Sequence, residues 1–137
     1  MVLSILQWNA NSIIAHGCEL KHFLDEMVSI PHVICVQETF LKPEITYKFK
    51  GYTLIRKDGK NGRGGVATYI RNDLQYSKVE YLNDLEGMSV QVDTSNGTIE
   101  IINLYISPNT YYNEASLQKL FDRENVFICG DFNAKST

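Results

Sequence analysis

The hydrophobic and polar positions change period several times along the chain, and those changes divide it into elements. Leu3 to Trp8 alternates and is rich in β-forming residues, which predicts a strand ending at Asn9. From about Ala15 to Ser29 the apolar residues Leu20, Phe23, Leu24, Met27 and Val28 recur at helical spacing, so a helix is predicted there, stopped by Pro31. His32 to Gln37 contains the unbroken run VICV, the pattern of a strand buried on both faces, and leads straight into Glu38. A helix between two such strands predicts a β-α-β unit.

After Pro43 the pattern shortens. Tyr52–Lys57, the loop DGKNGRGG, Val66–Arg71, Tyr76–Tyr81 and Met88–Asp93 read as a meander of short strands. Ser95-Asn96-Gly97 predicts a hairpin with a type I′ turn into a strand over Thr98–Ile106, because Asn-Gly tolerates positive φ. Asn113 reads as the cap of a short helix carrying Leu117, Leu120 and Phe121, and Val126–Cys129 as a last strand reaching Gly130. No repeat, linker or low-complexity segment interrupts the pattern, so residues 1–137 are read as one domain.

Composition narrows the class. Hydrophobic residues at 44% and charged ones at 21% exclude a disordered or collagen-like chain. The N-terminal MVLSILQWNA lacks the basic region of a signal peptide and the length of a membrane span, which predicts an intracellular protein. Cys18, Cys35 and Cys129 are widely spaced and are expected to be reduced and packed. His16, His22 and His32 share no ligand spacing and are expected to be structural.

A net charge of −3 hides an asymmetry: residues 42–71 hold eight Lys/Arg against two acids, a local +6, and the rest holds five against fourteen, or −9. The basic stretch is either an anion-binding face or a set of lysines that protect strand edges.

Three apolar strands, SILQWN, VICVQE and VFICGDFN, each deliver a polar group at the C-terminal end. Laid side by side in one orientation, they would bring Asn9, Glu38, Asp131 and Asn133 to one edge of a sheet, where α/β proteins keep their sites. The period of two in extended chain puts Asp131 and Asn133 on one side and turns Phe132 into the core. Carboxylates and amides without histidine or cysteine form an oxygen-rich set suited to magnesium, with manganese as the alternative, and such a cation serves phosphate chemistry.

LQWNAN, VQET, GRGGVATYI, NLYISPN and CGDFNA, in this order from Leu3 to Ala134, resemble the endonuclease/exonuclease/phosphatase family, in particular the apurinic-endonuclease-like branch of non-LTR retrotransposons. The resemblance implies an α/β fold, a four-layer α/β/β/α sandwich, truncated at its C-terminus. It also implies a magnesium-dependent endonuclease that nicks one DNA strand, leaving a 3′-hydroxyl able to prime reverse transcription. By resemblance Glu38 and Asn9 make the metal site, Glu38 as the ligand with Asn9 beside it, and Tyr105 contacts the scissile phosphate. Asp131 positions or activates the attacking water, and Asn133 helps hold the phosphate. Arg63, Lys60 and Arg71 are candidates for the DNA backbone.

In the family the fold continues past GDFN to a Ser-Asp-His segment. The chain is therefore expected to be an incomplete domain, feeble or inactive alone, whose missing half and a reverse transcriptase are implied partners. A nuclear location follows from the family function only. Two other readings compete: a phosphatase or phosphodiesterase of the same fold, and a DNA-binding remnant without catalysis.

Overall fold

The computed structural model describes residues 2–107 and 114–132. Its elements are β1 (Ile5–Asn9), α1 (Ile13–Asp25), β2 (Val33–Gln37), β3 (Tyr52–Lys57), β4 (Val66–Arg71), β5 (Tyr76–Tyr81), β6 (Glu86–Thr94), β7 (Gly97–Tyr105), α2 (Glu114–Phe121) and β8 (Val126–Asp131). β1, α1 and β2 form the predicted parallel unit, with Asn9 in register with Gln37.

The expected meander is divided between two sheets. β4 pairs antiparallel with β2 and β3, giving one sheet in the order β1-β2-β4-β3; β5, β6 and β7 form a true meander in the second sheet, to which β8 adds parallel to β7. Burial drives the division. Alternate residues of β2 face different layers: Val33 and Cys35 join Val66, Ile70, Met88, Val90, Ile101 and Cys129 between the sheets, while Ile34 and Val36 pack with Ile13, Leu20 and Leu24 of α1. On the far side of the second sheet, Ile102 and Leu104 pack with Leu120 of α2. Each sheet thus buries both faces, and the result is the α/β/β/α sandwich.

Local expectations needed adjustment. α1 starts earlier than predicted, where the Ser12 hydroxyl accepts the Ala15 N–H at 3.2 Å, and ends at Asp25. Its buried stripe is Ile13, Gly17, Leu20 and Leu24, whereas Phe23 and Val28 are exposed. The hairpin forms at Ser95-Asn96, but the positive φ falls on Gly97 (φ 114) and on neither central residue, so the turn is not type I′. The Thr94 hydroxyl spans this turn, accepting from Asn96 N–H and donating to Gly97 O. In α2, Leu120 is buried and Phe121 exposed; Asn113 lies outside the described residues.

Cys35 and Cys129 are buried neighbours across the sheets, and their mutual hydrogen bond and burial push the Cys35 thiol up. Cys18, expected to be packed, is exposed on α1. The histidines are structural. His16 Nδ1–H donates to the carbonyls of Ala10 and Asn11, His32 Nδ1 accepts from Ser4 N–H, and His22 pairs with Glu26 on the helix surface.

Candidate functional site

Asn9 and Glu38 come together because β1 and β2 are parallel and end side by side. Beyond their ends the backbones stay paired: Ala10 N–H donates to Gln37 O, Ser12 N–H to Glu38 O and Ile13 N–H to Thr39 O. Holding this path requires unusual conformations. Asn11, Ser12, Glu38 and Phe40 all have positive φ, a cluster of strained non-glycine residues at one end of one sheet, which is where functional sites store strain.

Asp131 arrives by a different route from the one expected. β8 does not lie beside β1 and β2; it belongs to the second sheet, and the convergence occurs across the sandwich, where β1 and β8 face one another. The side-chain parity along β8 is as predicted: Cys129 faces the space between the sheets, while Phe132 packs in the outer layer with Leu104 and Leu120. At the neck, Gly130 (φ 152) passes so close to β7 that a Cβ there would lie 1.7 Å from Leu104 O.

At the centre, the Asn9 amide donates from Nδ2 both to Glu38 Oε2 and, at 2.8 Å, to Asp131 Oδ2. Its other end is fixed, because Asn9 Oδ1 accepts the Asn11 N–H at 3.1 Å. One amide therefore holds two carboxylates from two sheets. Tyr105 completes the group: it is in register with Asp131 on one side and Glu86 on the other. Burial pushes its phenol above the ordinary range and the charges of Glu38, Glu86 and Asp131 push it further, while a hydrogen bond with Ser107 pulls the other way. At neutral pH Tyr105 is thus an O–H donor beside an acidic cluster.

Beneath lies an amide network that the sequence reading did not single out. Gln37 and Asn103, both fully buried, meet across the sheets, Gln37 Nε2 donating to Asn103 Oδ1 at 2.8 Å. Asn103 Nδ2 donates to Ala67 O at 2.9 Å, and Gln7 Nε2 to Gln37 Oε1 at 2.6 Å. The available signal was parity, since both are polar residues at inward positions of otherwise apolar strands.

The basic candidates separate. Lys60 and Arg63 lie exposed on the loop between β3 and β4, which reaches the site end because β4 starts beside Gln37. Arg71 is at the opposite end of β4. Antiparallel pairing places it there, and its guanidinium is bound to Asp73 and to Ile30 O, which removes it from the site. Arg56 and Lys57 also serve the structure, Arg56 on Asp58 and Lys57 on the carbonyls of Leu82 and Leu85. Asn133 lies outside the described residues.

Among the described residues no cluster of three or more His, Cys, Asp or Glu is arranged as a metal cage. The oxygen-only pair Glu38 and Asp131 fits a hard cation of the kind held by one or two carboxylates, substrate phosphate and water.

Comparison with known proteins agrees with this architecture. The endonuclease domain of TRAS1, a telomere-specific non-LTR retrotransposon, superposes with a TM-score of 0.74 at 18% identity, over 98% of this chain and 62% of its own. The catalytic domain of Xenopus laevis APE2 gives 0.66 at 22% identity, over 96% and 59%. An AP endonuclease from Archaeoglobus fulgidus gives 0.62 at 24%, over 96% and 58%. The chain therefore spans about three-fifths of these structures. No curated protein sequence matches it. The Endonuclease/Exonuclease/phosphatase family profile matches residues 6–137, and with the fold shared across that span the chain belongs to this family.

Proposed function

We propose that the chain is the N-terminal part of a magnesium-dependent DNA endonuclease of the retrotransposon type. The observation that carries this reading is the single Asn9 amide held by Glu38 and Asp131 from opposite sheets, with the protonated Tyr105 alongside. Glu38 would hold the cation. Asn9, which turns N–H groups rather than its oxygen towards the carboxylates, keeps Glu38 and Asp131 in place. A bound magnesium ion would polarise a phosphoryl oxygen and neutralise charge on the leaving oxygen.

Asp131 accepts a hydrogen bond from water and directs it at phosphorus, and Tyr105 donates to a non-bridging phosphate oxygen. Asn133 supplies a further amide to the phosphate by family resemblance. Lys60 and Arg63, exposed on one loop at the same end, contact the DNA backbone. DNA as substrate is supported by neighbours such as the Neisseria 3′ phosphatase NExo, solved with a product DNA hairpin.

The test uses the full chain with supercoiled plasmid and magnesium. Trace nicking is expected, lost in Glu38→Ala and Asp131→Ala. Robust nicking that both variants retain would overturn the site. Lys60 and Arg63 favour one second reading, a DNA-binding remnant, which predicts salt-sensitive duplex binding with no response to magnesium and no nicking.

A further inference from the structure

Glu86 belongs to neither the site residues nor the basic loop, yet it touches both. It opens β6 in the second sheet, in register with Tyr105. From there its carboxylate crosses to the first sheet, where Oε1 accepts the Gly65 N–H at 2.6 Å. The fit leaves no room: a Cβ on Gly64 (φ +64) would lie 2.1 Å from Glu86 Oε1, and one on Gly65 (φ +87) 2.7 Å from Thr39 Oγ1. The same turn is pinned on its other side by the strand end that carries Glu38, with Thr39 N–H donating to Gly65 O and Phe40 N–H to Gly64 O at 2.9 Å. The two glycines of GRGG are thus shaped by an acid from another sheet. Arg63, immediately before them, is exposed, and no ion pair engages its guanidinium among the described residues.

Accepting the nuclease reading above, we infer that Glu86 is a positioning residue for nucleic acid. Its carboxylate clamps the Gly64-Gly65 turn against the end of β2 and so holds Arg63 at the rim of the Asn9–Glu38–Asp131 cluster, facing a phosphate backbone. An acid beside a polyanion ordinarily repels it. Glu86 instead aids binding, because the loop it orders carries the cation.

That opposition of sign supplies the test. Duplex DNA binding by the full chain is measured by fluorescence anisotropy at low salt for wild type, Glu86→Ala, Glu86→Gln and Glu86→Asp. Gln keeps the reach and an acceptor but loses the charge; Asp keeps the charge but falls short of Gly65. Clamping predicts that Ala and Asp weaken binding about fivefold, the factor corresponding to roughly 1 kcal/mol, while Gln binds as well as wild type or better. If Ala and Gln both tighten binding and Asp matches wild type, Glu86 acts through charge alone and the inference is overturned.

A second measurement stands apart from DNA. The rate of tryptic cleavage after Arg63 should rise in Ala and Asp but not in Gln, and equal rates in all four chains overturn the clamp. Failure of wild type to bind duplex would refute the nuclease reading, and the tryptic rates would still decide whether Glu86 holds the turn.

Discussion

At the scale of single residues, Asn9 is held at both ends of its amide. Its two N–H bonds serve two carboxylates while its oxygen is held by Asn11 N–H, so each possible substitution fails differently. Asn9→Ala removes the bridge and leaves Glu38 and Asp131 facing each other, at a cost of roughly 1–3 kcal/mol for the lost partly buried hydrogen bonds. Asn9→Asp should cost more, since it adds a third negative charge to the same point. Urea denaturation should rank the chains wild type, Ala, Asp in falling stability, with magnesium narrowing the gap for Asp. If Asp matches wild type without metal, the two carboxylates are not as closely coupled as the shared amide implies. The chemical types were legible at this scale, since WN, QET and GDFN supplied an amide and two acids. Glu86 was not, because an isolated acid at a strand start gives no hint of a Gly65 N–H supplied from the other sheet.

At the scale of elements, strand periodicity was a reliable guide. Tyr52–Lys57, Val66–Arg71 and Tyr76–Tyr81 form where short β-prone runs between turn signals predict them. Helix limits were less legible, since the α1 cap is Ser12, three residues before the predicted start at Ala15. What ties the elements together is the polar link between sheets, in which Asn103 on β7 accepts from Gln37 on β2 and donates to Ala67 O on β4. Such a link fixes how the sheets sit, because apolar faces alone can slide whereas a buried amide must meet its partners. Asn103→Ala takes the 2.8 Å acceptor from the buried Gln37 N–H, and should lower stability by roughly 1–3 kcal/mol. On the proposed function, it should also reduce magnesium-dependent nicking or DNA binding more than an apolar truncation of equal stability cost, such as Ile102→Val combined with Leu104→Ala in the outer layer. Equal functional losses at equal stability would show that the link does not align the site.

At the scale of the whole molecule, tyrosine protonation sets an alkaline limit. Tyr52 donates to Pro31 O at 2.6 Å and Tyr69 to Tyr47 O at 2.7 Å, and both bonds require the neutral phenol. Burial raises both groups, Tyr52 from 10.0 to about 12 and Tyr69 further, and Tyr105 moves in the same direction. A group whose folded value is raised contributes stability that is complete below its unfolded value and is lost as pH rises towards the folded one. The tyrosine contribution should therefore hold up to about pH 10 and fall between there and about pH 12, following an earlier loss that begins near pH 9.0 where the Cys35 thiol ionises in the unfolded chain. Tyr52→Phe and Tyr69→Phe should start less stable and show a shallower alkaline decline; an unchanged slope in both would assign the decline to other groups. No helix among the described residues is long and apolar enough to cross a membrane.

The sequence by itself determined the element types, the side-chain parity at the end of β8, the opening β-α-β unit and the chemistry of the Asn9, Glu38 and Asp131 side chains. These depend on period, on turn residues and on functional groups, all of which are local. Only the tertiary structure decided that β8 belongs to a second sheet, that Asp131 reaches Asn9 across the sandwich, that Arg71 sits at the far end and that Glu86 holds the glycine turn. The physical reason is that sheet membership follows from which apolar faces bury one another over the whole chain. An alternation pattern specifies that a strand has a buried face, but carries no information about which distant strand will cover it.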